Sequence, residues 1–177
     1  MAEYVLSNYD FDKIVFIPAA NPPHKSSIKE LDLHRLNLVK LATAYNENFT
    51  VSDIEYKLGG KSYSYRTALE LYKIYKPEGK ISFIIGSDAF EKIETWFMSE
   101  KFKKLVDFIV FVRENNFNPD KFDNLKSKGY SYKLANLDFF DISSTQIRKM
   151  VANREDVTNF IGKEEKEYIE KYGLYNG

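Results

Sequence analysis

An α/β protein built on a parallel sheet is what this sequence predicts, and three observations carry the expectation. Short runs of β-branched and aromatic residues, KIVFI at 13–17, KISFII at 80–85 and DFIVFV at 107–112, set apolar residues side by side rather than alternating them. That is the pattern of strands covered on both faces. Longer stretches with apolar residues at helical spacing lie between these runs, and strands that alternate with helices pair in parallel. Gly and Pro punctuate the junctions: Pro18 follows the first run, Pro77 and Gly79 precede the second, and Gly86 closes it.

Taken in order, Lys13 to Ile17 reads as a buried strand ended by Pro18. Leu31 to Tyr45 carries a wide apolar face and reads as a helix. Phe49 to Ile54 is the second strand. Ser64 to Tyr75 is a helix stopped by Pro77 and Gly79, and Lys80 to Ile85 is the third strand. Ser99 to Val106 reads as helical and Asp107 to Val112 as the fourth strand. Asn118 to Ser127 is expected to be helical, with Pro119 in the first turn, where its missing N–H has no intrahelical partner to lose. Tyr132 to Ala135 is a weak fifth strand. Helices over Ser143 to Val151 and Lys163 to Tyr172 complete the chain. The 177 residues contain no internal repeat and no low-complexity linker, so one domain spanning 1–177 is expected.

Composition narrows the function classes. Lys plus Arg and Asp plus Glu number 26 each, so the formal charge is zero and a broad nucleic-acid surface is not expected. There is no cysteine, hence no disulfide and no thiolate metal site, which fits a reducing cytoplasm. No apolar run approaches membrane-spanning length, and the N-terminus lacks a charged-then-apolar leader. The histidines are His24 and His34 only; His34 falls within a helix and reads as structural. No spacing of His, Asp and Glu suggests a metal site made of protein groups alone, and there is no Walker-type loop and no GxGxxG.

Ligands of parallel α/β sheets sit beyond the carboxyl ends of the strands. That rule points to Pro18 to Lys25, Tyr56 to Thr67, Gly86 to Asp88, and Arg113. The most telling segment is Ile142-Ser143-Ser144-Thr145-Gln146-Ile147-Arg148. Ser143 followed by Gln146 is a capping-box pattern, so a helix starts there. A helix start offers free N–H groups and the positive end of the dipole. Ser144 and Arg148 lie at i and i+4 and project from one face. Hydroxyls, amides and a guanidinium together can hold a polyphosphate, although a capping box serves the helix alone equally well. Elsewhere, prolines stiffen the loop that presents His24 and Lys25. Ser62 or Ser64 can cap a helix that begins among several hydroxyls. Gly86 allows close approach of a ligand to the backbone, and Asp88 can accept from a ribose. Trp96 is a core residue or a stacking platform.

In this order the segments FIPAANPPHK at 16–25, SYSYRT at 62–67, FIIGSDAF at 83–90 with Trp96 downstream, ISSTQIR at 142–148 and YIEKYGLY at 168–175 resemble bacterial nicotinate-nucleotide adenylyltransferase. The resemblance covers nearly the whole chain and implies a Rossmann-like parallel sheet flanked by helices. It implies transfer of the adenylyl group of ATP to nicotinate mononucleotide in NAD biosynthesis, with Mg2+ accompanying the triphosphate. By the same resemblance Ser143, Ser144, Thr145 and Arg148 hold ATP, with Gly86 and Asp88 on its nucleoside. Tyr63, Thr67 and Trp96 line the nicotinate-nucleotide side, and His24 and Lys25 cover the phosphates. No nucleic-acid or membrane partner is implied, and self-association is left open.

Two departures from the family stand out. The chain carries no GGxFDPxHxGH-like segment, and its opening MAEYVL resembles the middle of the helix that follows that segment in the family. The expectation is therefore a sheet lacking its first, central strand, no identified catalytic histidine, and severely reduced or absent turnover. Arg66 stands where the family often carries aspartate. A non-catalytic nucleotide-binding protein is the alternative from another class. Pantetheine phosphate and nicotinamide mononucleotide are the alternative acceptors.

Overall fold

Helix α1 (Ala2–Asn8) opens the fold and buries Val5. The computed structural model describes residues 1–23, 29–112, 117–137 and 142–176, without the side chains of Lys29, Glu30 and Pro119. Strand β1 (Ile14–Phe16) follows, then α2 (Lys29–Thr43), β2 (Phe49–Val51), α3 (Ile54–Leu58) and α4 (Ser64–Tyr75). Next come β3 (Ile81–Gly86), the short α5 (Ser87–Phe90), a 3-10 turn at Ile93–Thr95, α6 (Ser99–Leu105) and β4 (Val106–Val112). A second 3-10 turn at Pro119–Phe122 leads into α7 (Asp123–Ser127), then β5 (Tyr132–Asn136), α8 (Ser144–Ala152) and α9 (Lys163–Lys171).

Every strand pair is parallel, as the alternation with helices requires. One ladder runs β1-β2, with Ile14 opposite Phe49 and Phe16 opposite Val51. The other runs β3-β4-β5, with Ile81 opposite Val106 and Phe108 opposite Tyr132. Ile14 and Ile84 come from different ladders yet pack against the same buried group of Val5, Ile109, Phe111 and Ala135. The two ladders thus share an apolar layer under α1.

The main core lies around β4, where Phe90, Phe102, Phe108, Phe122 and Tyr130 pack with Ile93 and Val110. Rings meet mostly edge to face, as at Phe90–Phe122 (5.0 Å) and Phe83–Phe102 (5.3 Å), the arrangement that aromatic quadrupoles favour. Tyr72 on α4 locks this layer. Its hydroxyl donates to the Leu105 carbonyl at 2.7 Å and accepts the Ile81 amide at 3.3 Å.

Several expectations need correction. Among the described strands only β4 is buried almost throughout; β1, β2 and most of β3 are half-buried. The reason is position, since among the described residues β4 has a strand neighbour on both sides while β1 has β2 on one side. The strand expected over Phe49 to Ile54 ends at Val51 because the chain turns at Asp53 into α3. Gly59 and Gly60, at φ of +62° and +70°, end that helix in a left-handed turn that other residues rarely adopt. The helix expected over Asn118 to Ser127 divides into a 3-10 turn and α7. Helix α4 is capped by neither serine; its cap residue is Tyr63, without a side-chain bond.

Candidate nucleotide site

The start of α8 carries the expected capping box. Ser143 Oγ accepts the Gln146 amide at 3.2 Å, and Gln146 Oε1 accepts the Ser143 amide at 2.6 Å. Two of the orphan donors of the helix start are thereby satisfied, which leaves the Ser144 and Thr145 amides for another acceptor. Ser143, Ser144, Thr145 and Arg148 are all exposed, and α8 buries no side chain. Ser144 and Arg148 open onto a groove of about 990 Å³ between α8, α2 and the 158–165 segment. Arg35 of α2 lines the same groove, beside apolar Leu38, Leu41 and Ile147. Arg148 also lies over the Tyr175 ring, 5.5 Å from its centroid.

The loop after β1 is clamped from several sides. Arg35 donates to the Ala19 carbonyl and pairs with Asp32 at 3.0 Å. The Asn21 amide donates to Ser62 Oγ and the Ser62 amide to the Asn21 carbonyl, each at 2.9 Å. This is where the Ser62 hydroxyl goes instead of capping α4. Glu55 Oε2 accepts the Ala20 amide at 3.4 Å, while Glu55 Oε1 accepts the Thr67 hydroxyl at 2.7 Å. Tyr56 donates to the Asp32 carbonyl at 2.8 Å, and burial pushes its hydroxyl up, so it remains a donor. His24 and Lys25, further along this loop, lie outside the described residues, as does Arg113.

At the tip of β3, Gly86 takes an ordinary extended conformation (φ −81°, ψ 153°) and caps α5. A Cβ built there would meet nothing within 4 Å, so the open space beside it can admit a ligand. Asp88 is exposed, and Ser87 is buried with an unpartnered hydroxyl. Trp96 is half-buried, 6.3 Å from Phe102 in a stack and edge-on to Phe83 at 6.1 Å. The ring that meets Tyr63 is Phe97, stacked at 4.4 Å and 44% exposed.

The structure thus brings Ser144 and Arg148 together on one groove, and links Thr67 to the loop after β1 through Glu55. Gly86 and Asp88 do not line the groove of Arg148. The Thr67 hydroxyl is engaged by Glu55 rather than turned toward open space. Sequence reasoning passed over Glu55, Arg35 and Phe97. A signal for Glu55 was present: a carboxylate set between Ile54 and Tyr56. Arg35 could have been found from Asp32 three residues earlier. His34, read as structural, meets the Tyr168 hydroxyl at 2.9 Å through Nδ1, which ties α2 to α9.

Comparison with known proteins places the chain. A family model described as cytidylyltransferase-like matches residues 1–150. A probable nicotinate-nucleotide adenylyltransferase from Fusobacterium nucleatum subsp. nucleatum is 37% identical over 171 residues, covering 97% of this chain and 88% of that protein. Another, from Thermoanaerobacter sp., is 36% identical over 181 residues, covering 98% and 85%. The solved structure of Plasmodium falciparum nicotinic acid mononucleotide adenylyltransferase complexed with NaAD is similar in fold, with a TM-score of 0.72 at 21% identity over 97% of this chain and 86% of that one. Match to the model over most of the chain, and to these relatives along nearly its full length, leads to one conclusion: the chain belongs to the cytidylyltransferase-like family and, within it, to the nicotinate-nucleotide adenylyltransferases.

Proposed function

We propose that this chain transfers the adenylyl group of ATP to nicotinate mononucleotide, giving deamido-NAD and pyrophosphate in cytoplasmic NAD biosynthesis. The observation that carries the reading is the start of α8, where the capping box leaves two amides unengaged and where Ser144 and Arg148 line one groove with Arg35. Such a set suits a triphosphate, because amides at a helix start and a forked guanidinium both favour anionic oxygens. Gly86 and Asp88, which lie off that groove, are given the nucleoside of ATP by the family resemblance. Tyr63, Trp96 and Thr67 serve the acceptor.

The reaction needs no covalent enzyme intermediate. A phosphate oxygen of nicotinate mononucleotide attacks the α-phosphorus of ATP, the bond to the bridging β-phosphate oxygen breaks, and pyrophosphate carries away the electron pair. The task of this chain is to align the two phosphates and balance their charge. Mg2+ enters with the triphosphate as part of the substrate. Among the described residues no group of three His, Cys, Asp or Glu is placed to hold a metal ion.

The test is pyrophosphate release with MgATP and, in separate reactions, nicotinate mononucleotide, nicotinamide mononucleotide or pantetheine phosphate, with the product resolved by chromatography. Deamido-NAD as the main product is expected, formed at a severely reduced rate because these 177 residues carry no GGxFDPxHxGH-like segment. Preference for another acceptor overturns the acceptor assignment. Binding of ATP with no transfer to any of the three, even at high protein concentration and long incubation, overturns the transferase reading in favour of a non-catalytic nucleotide-binding protein.

A further inference from the structure

Glu55, the second residue of α3, is 9% exposed. A buried carboxylate is costly unless it is well hydrogen-bonded, and an apolar residue of similar volume would serve packing alone as well or better. What this carboxylate provides is a bridge. One oxygen takes the Thr67 hydroxyl from α4, and the other takes the Ala20 amide from the loop after β1. The same loop is held independently by the Asn21–Ser62 bonds and by Arg35. It therefore stays attached without Glu55, but its register against α4 is no longer set at Ala20.

We propose that Glu55 is a positioning residue for the acceptor: by engaging Thr67 and Ala20 at once it fixes the loop after β1 against the start of α4, and binding of the nicotinate nucleotide depends on that alignment. The inference rests on the reading above, in which the start of α4 lies on the acceptor side. The triphosphate of ATP, placed at α8, does not depend on the bridge: Arg35 is the link from its groove to this loop, and Arg35 holds Ala19 without Glu55.

The bridge has a signature that bulk or charge would not produce. Glutamine can replace both bonds. Its carbonyl oxygen accepts the Ala20 amide, and its amide donates to Thr67, whose proton turns to the Tyr63 carbonyl 3.3 Å away. Aspartate keeps the charge but is one methylene too short to span both partners. Methionine keeps the volume and loses both bonds.

The experiment is calorimetric titration of the full chain, unsubstituted and as Glu55→Met, Glu55→Asp and Glu55→Gln, with nicotinate mononucleotide and separately with α,β-methylene ATP. Glu55→Met and Glu55→Asp are expected to weaken the nicotinate nucleotide about tenfold or more and to leave the ATP analogue within about twofold, while Glu55→Gln stays within about threefold for both. Unchanged affinity in Glu55→Met, equal loss of both ligands, or a Glu55→Gln variant as weak as Glu55→Met overturns the inference. A variant that does not fold is recognised by its melting curve, and the Gln and Asp pair then decides. If the unsubstituted chain takes the ATP analogue but not nicotinate mononucleotide, the acceptor reading itself falls, a result visible without any substitution.

Discussion

Arg148 is exposed and, among the described residues, meets the ring of Tyr175. Contacts of that kind contribute about 0.5–1 kcal/mol when exposed, so Arg148→Ala is expected to leave the melting temperature nearly unchanged. Affinity for an ATP analogue should fall about tenfold, the usual effect of removing a charge-assisted bond to phosphate; calorimetry checks it. Gly86 tells a complementary story. Neither its dihedrals nor its neighbours require glycine. Gly86→Ala should therefore hold or slightly raise thermal stability, by less than about 1 kcal/mol, yet weaken nucleotide binding if a ligand uses the open space. Full binding in that variant would detach Gly86 from the site. Asp156 supplies a pH handle: bonds from the Thr158 amide and then the Thr158 hydroxyl hold its carboxyl below the usual carboxylate value. A depressed folded-state value stabilises at pH above the unfolded value of 3.8, and that contribution is lost as pH falls through the lower, folded value. Acid unfolding followed by circular dichroism should show a shallower fall below about pH 4 in Asp156→Asn.

Helix α8 is an element whose order rests on its ends more than its faces, since it buries no side chain. Loss of the cap should therefore be felt. Ser143→Ala removes the acceptor of the Gln146 amide, at a cost of about 1 kcal/mol. The expected readout is faster hydrogen exchange at the amides of Ser144 to Ile147, together with weaker ATP binding, because a frayed first turn no longer presents its amides in fixed directions. Exchange unchanged at those amides would show that the groove, rather than the cap, holds the helix start. The partner element across the groove is better anchored: α2 is tied to α9 by the Tyr168 hydroxyl, which His34 and Asn37 both meet at 2.9 Å.

For the whole molecule, cohesion centres on β4 and the aromatic rings around it. Phe90 has no exposed surface and meets Phe108, Phe122, Tyr130 and Tyr132. Phe90→Ala should cost about 3–5 kcal/mol, measured by urea unfolding, and could unfold a marginally stable chain. By itself the sequence determined what depends on neighbours a few residues apart. Apolar runs placed the strands to within a few residues, Ser64 to Tyr75 was legible from end to end, and the Ser143–Gln146 box was legible because it closes within four residues. Only the tertiary structure decided what depends on distant partners. The Ser62 hydroxyl meets the Asn21 amide 41 residues away, and the Glu55 carboxylate reaches an amide 35 residues away. No periodicity encodes such meetings. They arise when parallel pairing brings the ends of successive strands and helices to one side of the sheet, where buried polar groups must find partners or remain costly.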